Sequence, residues 1–272
     1  MKRLSTFIAL LLVAVLLISC VASCVRYEFD DLGKEQGGEL SNEASPSPDE
    51  IGDSENVPES GNIDFSKMTY IAYGDSITFG LYNSQRMESP YPSLVASTLG
   101  LKSCSNHAVN GGTLCSNDIG WFCMTDKILS ITDQHDIVSV MLGVNDYNRN
   151  LPLGTITDMD NTTVYGSLNL IANHFDTYYQ NSFVFFMTPY KERIGSGDCY
   201  RLNSQGYSLL DVANAIKEVA ALHNYPVLDM FNYGRFELEY SSPESDGIHP
   251  SQEFIKNYTA PQITAFIKEN YK

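Results

Sequence analysis

The chain has 272 residues and a formal net charge of −16, and no basic patch or arginine-rich stretch interrupts its acidic composition. This charge argues against a nucleic-acid-binding protein, which needs a basic surface against the phosphate backbone. The acidity is typical of a protein kept soluble outside the cell, and loss of Lys2 and Arg3 with an N-terminal leader takes the charge of −16 to −18.

Residues 1–24, MKRLSTFIALLLVAVLLISCVASC, have the pattern of a secretory signal peptide, with two basic residues, an apolar run and small residues around a cysteine. The apolar run, residues 4–18, is shorter than the roughly 20 residues of a membrane-spanning helix, which favours a cleaved leader over an uncleaved anchor. The string LISC resembles a bacterial lipobox and implies that Cys20 is lipidated. The string VASC, ending at Cys24, fits nearly as well, so we expect an exported, membrane-anchored lipoprotein with either cysteine as the anchor.

Residues 25–62 are acidic, rich in Ser, Gly, Pro and Asn, and nearly free of large apolar side chains. Such a segment cannot bury enough surface to offset the entropy cost of ordering it, so we predict a disordered tether. Residues 63–272 follow the tether and are numerous enough for one domain with a well-packed core.

Five apolar segments of strand length lie in this domain, and most of them end at a Gly, Asn or Pro. Their apolar character is nearly continuous, as expected for parallel strands that are covered on both faces. Helical patterns lie between them, the one around DIGWFCMTDKILSI being poorly defined. This alternation predicts a three-layer α/β/α domain with a five-stranded parallel sheet. The five segments are MTYIAYG, KSCSNHAVNG, DIVSVMLGVN, SFVFFMTP and YPVLDMF.

The four cysteines of the domain show neither a CxxC pair nor the Cys/His spacing of a zinc site, so we expect no metal. An exported domain permits disulfides, and buried thiols are an equal alternative. We expect no cofactor either, because the sequence contains no P-loop, dinucleotide-binding fingerprint or HExxH motif.

Polar residues stand at the ends of the predicted strands, where open parallel sheets bind their ligands. The first strand ends in Gly-Asp-Ser at Ser76, the second at Gly111 and the third in GVND with Asn145. After the fifth strand, the string ESDGIHPS places Asp246 and His249 three residues apart. A serine hydroxyl becomes a good nucleophile only when a base such as imidazole takes its proton, and a carboxylate can hold that imidazole in place. The set therefore contains the residue types that nucleophilic catalysis needs.

These four blocks, GDS, Asn-x-x-x-x-Gly, GxND and DxxHP, resemble in order and spacing the SGNH (GDSL) hydrolases, serine esterases and lipases on a flavodoxin-like sheet. The resemblance covers residues 70–267. It implies that Ser76 is the nucleophile, His249 the general base and Asp246 its orienting acid. It further implies an oxyanion hole formed by the backbone N–H of Ser76, the backbone N–H of Gly111 and the side-chain amide of Asn145.

Other polar positions receive structural roles. We expect Asp75 to cap a helix and Asp146 to be a solvated loop residue. The remaining histidines, His107, His135, His174 and His223, are expected at the surface or in the core. The second block reads AVNGG, with Asn110 where the family often has serine, which leaves the Gly111 donor intact.

The catalytic blocks predict an ester substrate and no more. Two long polar and aromatic loops, after the third and fourth strands, favour removal of small acyl groups, acetyl above all, from a carbohydrate or cell-wall glycan. The tyrosines of these loops, Tyr147, Tyr165 and Tyr200, could equally pack the loops down. A lipase or lysophospholipase of the same family and a non-catalytic glycan-binding lipoprotein are the alternatives.

Overall fold

The computed structural model describes residues 63–192, 199–233 and 245–272, which all belong to one compact unit, Ser60–Lys272. The expected signal peptide, the candidate lipidation sites Cys20 and Cys24 and the expected tether lie outside the described residues. Their assignment, and the domain limits drawn from it, stay predictions.

Five parallel strands form the central sheet, in the order β4-β1-β5-β6-β7. The inner strands are rich in β-branched and aromatic residues and are buried on both faces, as the continuous apolar segments predicted. Their bounds are Thr69–Gly74 (β1), Ser103–Asn106 (β4), Ile137–Met141 (β5), Phe183–Met187 (β6) and Val227–Leu228 (β7). A short hairpin, Leu81–Tyr82 (β2) with Gln85–Arg86 (β3), stands apart from the sheet.

Helices cover both faces of the sheet. Their bounds are Ser76–Phe79 (α1), Tyr91–Leu99 (α2), Met124–Leu129 (α3), Val144–Asn148 (α4), Val164–Tyr178 (α5), Leu209–Leu222 (α6), Gln252–Phe254 (α7) and Ala260–Asn270 (α8). A 3-10 turn, Phe65–Lys67, precedes β1, and a π-helical turn, Ile255–Thr259, joins α7 to α8. In the described part of the chain, no helix has the length and apolar character that a membrane span requires.

The core consists of two clusters, one on each face, because successive strand residues point to opposite sides. On β5, Val138 and Val140 join one cluster, while Ile137 and Met141 join the other. Helices α3, α5 and α6 cover the first face, and α2 and α8 cover the second. The predicted three-layer α/β/α architecture with a five-stranded parallel sheet is confirmed.

The two edge strands are shorter than the apolar segments suggested. Strand β4 ends at Asn106, whose side chain accepts a hydrogen bond from the N–H of Ala108 and so begins a turn. Beyond this point the N–H groups of His107 and Val109 still donate to β1, at Ala72 O and Gly74 O. At the other edge Pro226 has no N–H to donate, and the ladder contains only Val227 and Leu228.

Strand order places a crevice between β1 and β5. The chain moves from β1 outward to β4 on one side and returns to β5 on the other, so the loops that leave β1 and β5 diverge at their carboxyl ends. Such a reversal is where open α/β sheets bind ligands. Ser76 follows β1 and Asn145 follows β5 at this point.

Candidate functional site

Ser76 is the first residue of α1, directly after the tight turn that ends β1. The turn requires glycine at position 74, because a Cβ there would lie 2.0 Å from Thr78 Oγ1. The Asp75 side chain accepts a hydrogen bond of 3.0 Å from the N–H of Ile77, which confirms its expected role as a helix cap. Burial raises the pKa of Asp75 to about 7, against the opposing effects of the Ile77 N–H, His249 and Arg149.

A chain of hydrogen bonds joins Ser76 to His249 and Asp246, which lie about 170 residues later in the sequence. His249 Nε2 lies 2.8 Å from Ser76 Oγ, and His249 Nδ1 lies 2.6 Å from Asp246 Oδ2. The serine is 4% exposed, so its hydroxyl lies at the floor of the crevice. If Nδ1 carries the proton and donates a hydrogen bond to Asp246, Nε2 is the acceptor for the hydrogen bond from the serine O–H.

Backbone donors hold Asp246 in place for this contact. Its Oδ1 accepts hydrogen bonds from the N–H groups of Ile248, at 2.9 Å, and of His249, at 2.8 Å. Burial alone would raise the pKa of Asp246. The two backbone hydrogen bonds and the His249 side chain outweigh this effect, so the pKa of Asp246 lies below its ordinary value. The carboxylate is therefore ionised at neutral pH and oriented by the same turn that carries His249.

The three expected oxyanion donors lie at the start of α1, on the loop after β4 and at the start of α4. Gly111 has a φ of 74°, in the left-handed region that favours glycine. Within the described residues, the backbone N–H groups of Ser76 and Gly111 make no hydrogen bond. Asn145 Nδ2 donates to Gly112 O at 2.9 Å, which fixes its amide and leaves its second hydrogen for a ligand.

Asp146 is fully buried, so the expectation of a solvated loop residue was wrong. Its two carboxylate oxygens accept hydrogen bonds of 2.9 Å from the N–H groups of Leu114 and Cys115. Burial raises the pKa of Asp146, and these two N–H groups oppose that effect. Asp146 thus ties α4 to the loop that carries Gly111.

Asn106 is a further positioning residue that the sequence motif contained but to which we gave no role. Its Nδ2 donates to Thr78 O at 2.7 Å, and its Oδ1 accepts from the N–H of Ala108 at 3.1 Å. The end of β4 is thereby fastened to α1, the helix that carries Ser76.

Three side chains near the site were missed altogether. Arg149 is the C-cap residue that follows α4, and its guanidinium stacks on Trp121, 3.8 Å from the ring centroid. Its spacing of four from Asn145 was the available signal, since residues four apart share a helix face. Glu192 follows β6, is 8% exposed and accepts a hydrogen bond of 2.6 Å from Asn148 Nδ2. Burial raises the pKa of Glu192 to about 7.

The loop tyrosines differ in their roles. Tyr147 is 4% exposed and donates to Arg201 O, so it packs the loops together. Tyr165 donates to Glu218 on α6. Tyr200 is 48% exposed.

Two of the other histidines make hydrogen bonds through their rings, and the remaining two are half-buried. His174 bonds to Ile131 O at 2.8 Å, and His223 pairs with Asp176. Burial lowers the pKa of His107 and of His135. Burial also raises the pKa of the Cys104 thiol to about 12. In the three described ranges, no group of three or more His, Cys, Asp or Glu side chains is arranged to hold a metal ion.

The sequence over residues 72–254 matches the GDSL-like lipase/acylhydrolase family. No curated protein matches the chain. Among solved structures, a protein from Lactobacillus plantarum has 24% sequence identity and a TM-score of 0.64, over 76% of this chain and 99% of that one.

Two further solved structures are similar in fold. A possible lipase from Chitinophaga pinensis has 21% identity and a TM-score of 0.58, over 75% of this chain and 98% of that one. A carbohydrate acetylesterase family member from Sinorhizobium meliloti has 17% identity and a TM-score of 0.52, over 74% of this chain and 98% of that one. At sequence identities this low, the three structures show that the fold is shared and show nothing about activity.

Proposed function

Because the chain belongs to the GDSL-like lipase/acylhydrolase family, we propose that it hydrolyses carboxylic esters with Ser76 as nucleophile, His249 as general base and Asp246 as the orienting acid. The match also confirms the resemblance to SGNH (GDSL) hydrolases. The observation that carries the proposed mechanism is the hydrogen-bonded chain from Ser76 Oγ through both nitrogens of His249 to Asp246.

In the proposed first half-reaction, His249 Nε2 takes the proton of Ser76 as the Oγ bonds to the ester carbonyl carbon. The carbonyl oxygen becomes an anion, which the N–H groups of Ser76 and Gly111 and the amide of Asn145 stabilise. Fixed donors of this kind are worth about 10²–10³ in rate each. When the carbon–oxygen bond to the alcohol breaks, the imidazolium returns the proton to the leaving oxygen, and the acyl group stays on Ser76.

The second half-reaction repeats these steps with water. His249 takes a proton from the water as its oxygen bonds to the acyl carbon, and then gives the proton to Ser76 Oγ as the acid leaves. The ionised Asp246 stabilises the imidazolium in both halves and keeps Nδ1 facing away from the substrate.

For the substrate we propose a small acyl group, acetyl above all, on a carbohydrate or cell-wall glycan. Exposed aromatic and polar side chains near the crevice, such as Trp121 at 45% exposure, suit a sugar ring better than a long hydrocarbon chain. The same fold occurs in the carbohydrate acetylesterase family member from Sinorhizobium meliloti, which makes this chemistry accessible to the fold.

The test is an acyl-length series of para-nitrophenyl esters, from acetyl to palmitoyl, together with acetylated xylan. The full chain should act fastest on acetyl groups, and Ser76→Ala should lower kcat/KM by about 10⁴-fold or more. Ser130→Ala, at an exposed helix end, is the matched control. Fastest hydrolysis of long chains would instead indicate a lipase, and glycan binding without hydrolysis would indicate a binding protein.

We also propose that the protein is exported and held at a membrane by a lipid on Cys20 or Cys24. The charged, apolar and small-residue pattern of residues 1–24 supports this proposal. In a bacterial host, one of Cys20→Ala and Cys24→Ala should move the full chain from the detergent phase to the aqueous phase. Detergent partitioning that persists when both cysteines are replaced together would contradict it.

A further inference from the structure

The guanidinium of Arg149 lies beside the expected oxyanion hole. A Cβ on Gly111 would lie 3.3 Å from Arg149 Nη2 and 3.3 Å from Trp121 Cζ3. The guanidinium also stacks on the Trp121 ring, at 3.8 Å from its centroid. Arginine and tryptophan together therefore form one wall of the crevice next to Gly111.

Arg149 has no acidic or carbonyl partner within the described residues. Its Nη1 is buried and makes no hydrogen bond there, and no carboxylate lies within ion-pair distance. Burial lowers the pKa of Arg149, and the carboxyl groups of Asp146 and Asp75 oppose this effect from longer range. A buried charged donor without a partner is costly, and native structures contain few of them. Packing against Trp121 accounts for the stacked face of the guanidinium and leaves Nη1 unexplained.

We infer that Arg149 and Trp121 form a subsite for a carboxylate group carried by the ester substrate, an inference that rests on the proposed hydrolase function. A guanidinium presents parallel N–H donors that match a carboxylate, and Trp121 offers an apolar surface for the carbon frame beside it. Three other donors already serve the carbonyl oxygen. A single cation near two carboxyl groups suits a singly charged ligand better than a doubly charged phosphate.

The experiment compares esters that differ in one carboxyl group. Para-acetoxybenzoate and its methyl ester place the carboxylate or its neutral analogue on the alcohol part. Para-nitrophenyl hemisuccinate and its methyl ester place it on the acyl part. The full chain should show a higher kcat/KM for the charged member of one pair, by about 10- to 100-fold, the value of a charge-assisted hydrogen bond.

Arg149→Gln should bring the ratio of kcat/KM between the charged and the neutral ester to about one, mainly through a higher KM for the charged ester. Arg149→Lys should retain part of the ratio, because lysine keeps the positive charge but lacks the planar guanidinium. Arg86→Gln is the matched control, since Arg86 also stacks on an aromatic ring, that of Phe79, outside the site. A ratio that is the same in Arg149→Gln as in the parent, or a parent ratio of one in both pairs, would overturn the inference.

Binding can be read without catalysis, because Trp121 is the only tryptophan of the chain. In the Ser76→Ala background, para-acetoxybenzoate or para-nitrophenyl hemisuccinate should change the tryptophan fluorescence saturably, and adding Arg149→Gln should abolish the change. If the parent hydrolyses no ester, the proposed function fails, and this titration still decides the subsite. The absence of any saturable change with either charged ester would overturn the subsite alone.

Discussion

Two His–Asp pairs of the same geometry lie on this molecule. His249 pairs with Asp246 and His223 with Asp176, each at 2.6 Å, and in both pairs the histidine side chain is 15% and the aspartate 45% exposed. What distinguishes His249 is its second nitrogen, which lies 2.8 Å from Ser76 Oγ. The pair by itself is therefore ordinary, and its proposed catalytic value comes from the serine.

Asp246→Asn should lower kcat on para-nitrophenyl acetate by about 10³–10⁴-fold with little change in KM. An asparagine that keeps the backbone hydrogen bonds turns its amide towards Nδ1, which then has to accept, so Nε2 carries the proton and cannot take one from Ser76. Steady-state kinetics at pH 7 measure the effect.

Asp176→Asn is the control for this prediction, because it breaks the equivalent pair away from the site. We expect its kcat to equal that of the parent. Equal losses in the two variants would mean that the Asp246 contact acts through folding rather than through His249.

At the scale of elements, α4 and the loop that carries Gly111 are held together by one buried carboxylate, that of Asp146. Asp146→Asn should lower the free energy of unfolding by about 2–3 kcal/mol, because the amide can accept only one of the two N–H groups of Leu114 and Cys115. It should also lower kcat more than it raises KM, since Gly111 is displaced. Urea unfolding and steady-state kinetics measure the two effects.

Asp160→Asn is matched to this variant, because Asp160 accepts a backbone N–H, that of Thr162, at 2.9 Å on an exposed loop. A surface change of this kind should alter the free energy of unfolding by less than about 0.5 kcal/mol. An Asp146→Asn variant as stable as Asp160→Asn would show that the buried carboxylate does not hold the loop.

The inner strands were predictable because each is a nearly continuous apolar run, and such a run indicates a strand that is buried on both faces. The edge strands were predicted too long, since apolar character says nothing about where a ladder loses its partner. Asp146 was misassigned for a related reason. Asn145 and Asp146 are adjacent in GVND, but successive helix residues point about 100° apart, so the two side chains face different surroundings. The residues that donate to Asp146 lie about 30 positions away in sequence, and a local motif does not reveal them.

The residues of the candidate site also divide into those that a local sequence motif identifies and those that only contacts distant in sequence bring together. Ser76, Gly111 and Asn145 stand in short motifs that follow β1, β4 and β5. Asp246 and His249 share one motif between β7 and α7, so the sequence could bring all five together as a prediction. Arg149 and Trp121 belong to no motif, and their contact depends on how two loops fold over Gly111. Only the structure reveals such a pairing.

Across the whole molecule, an acidic chain buries three of its described carboxyl groups, those of Asp75, Asp146 and Glu192. Burial raises the pKa of all three. Each group binds its proton more tightly in the folded state, so its contribution to stability is complete below the unfolded pKa and is lost as pH rises through the folded pKa. The pKa values of Asp229 and Asp246 are lowered, so the pH dependence of their contribution to stability has the opposite sign. That contribution is lost as pH falls below about 4.

Glu192 offers the clearest test, because burial raises its pKa from 4.5 to about 7 while Asn148 and Arg201 oppose the shift. Its contribution to the free energy of unfolding should decline between pH 4.5 and about pH 7, by about 3 kcal/mol at 1.36 kcal/mol for each pKa unit. Glu192→Gln, which is neutral throughout, should therefore lose less stability over this interval than the parent. Urea unfolding at several pH values between 4.5 and 8 measures the difference.

Glu269→Gln, at an exposed position of α8, controls for the removal of one negative charge from an acidic chain. Its stability curve should run parallel to that of the parent, while the Glu192→Gln curve should be flatter. Asp75 keeps its raised pKa in both variants, so part of the decline should persist. If the Glu192→Gln curve instead ran parallel to the parent curve, the pKa of Glu192 in the folded protein would equal its ordinary value of 4.5, and its burial next to Asn148 would carry no proton-linked cost.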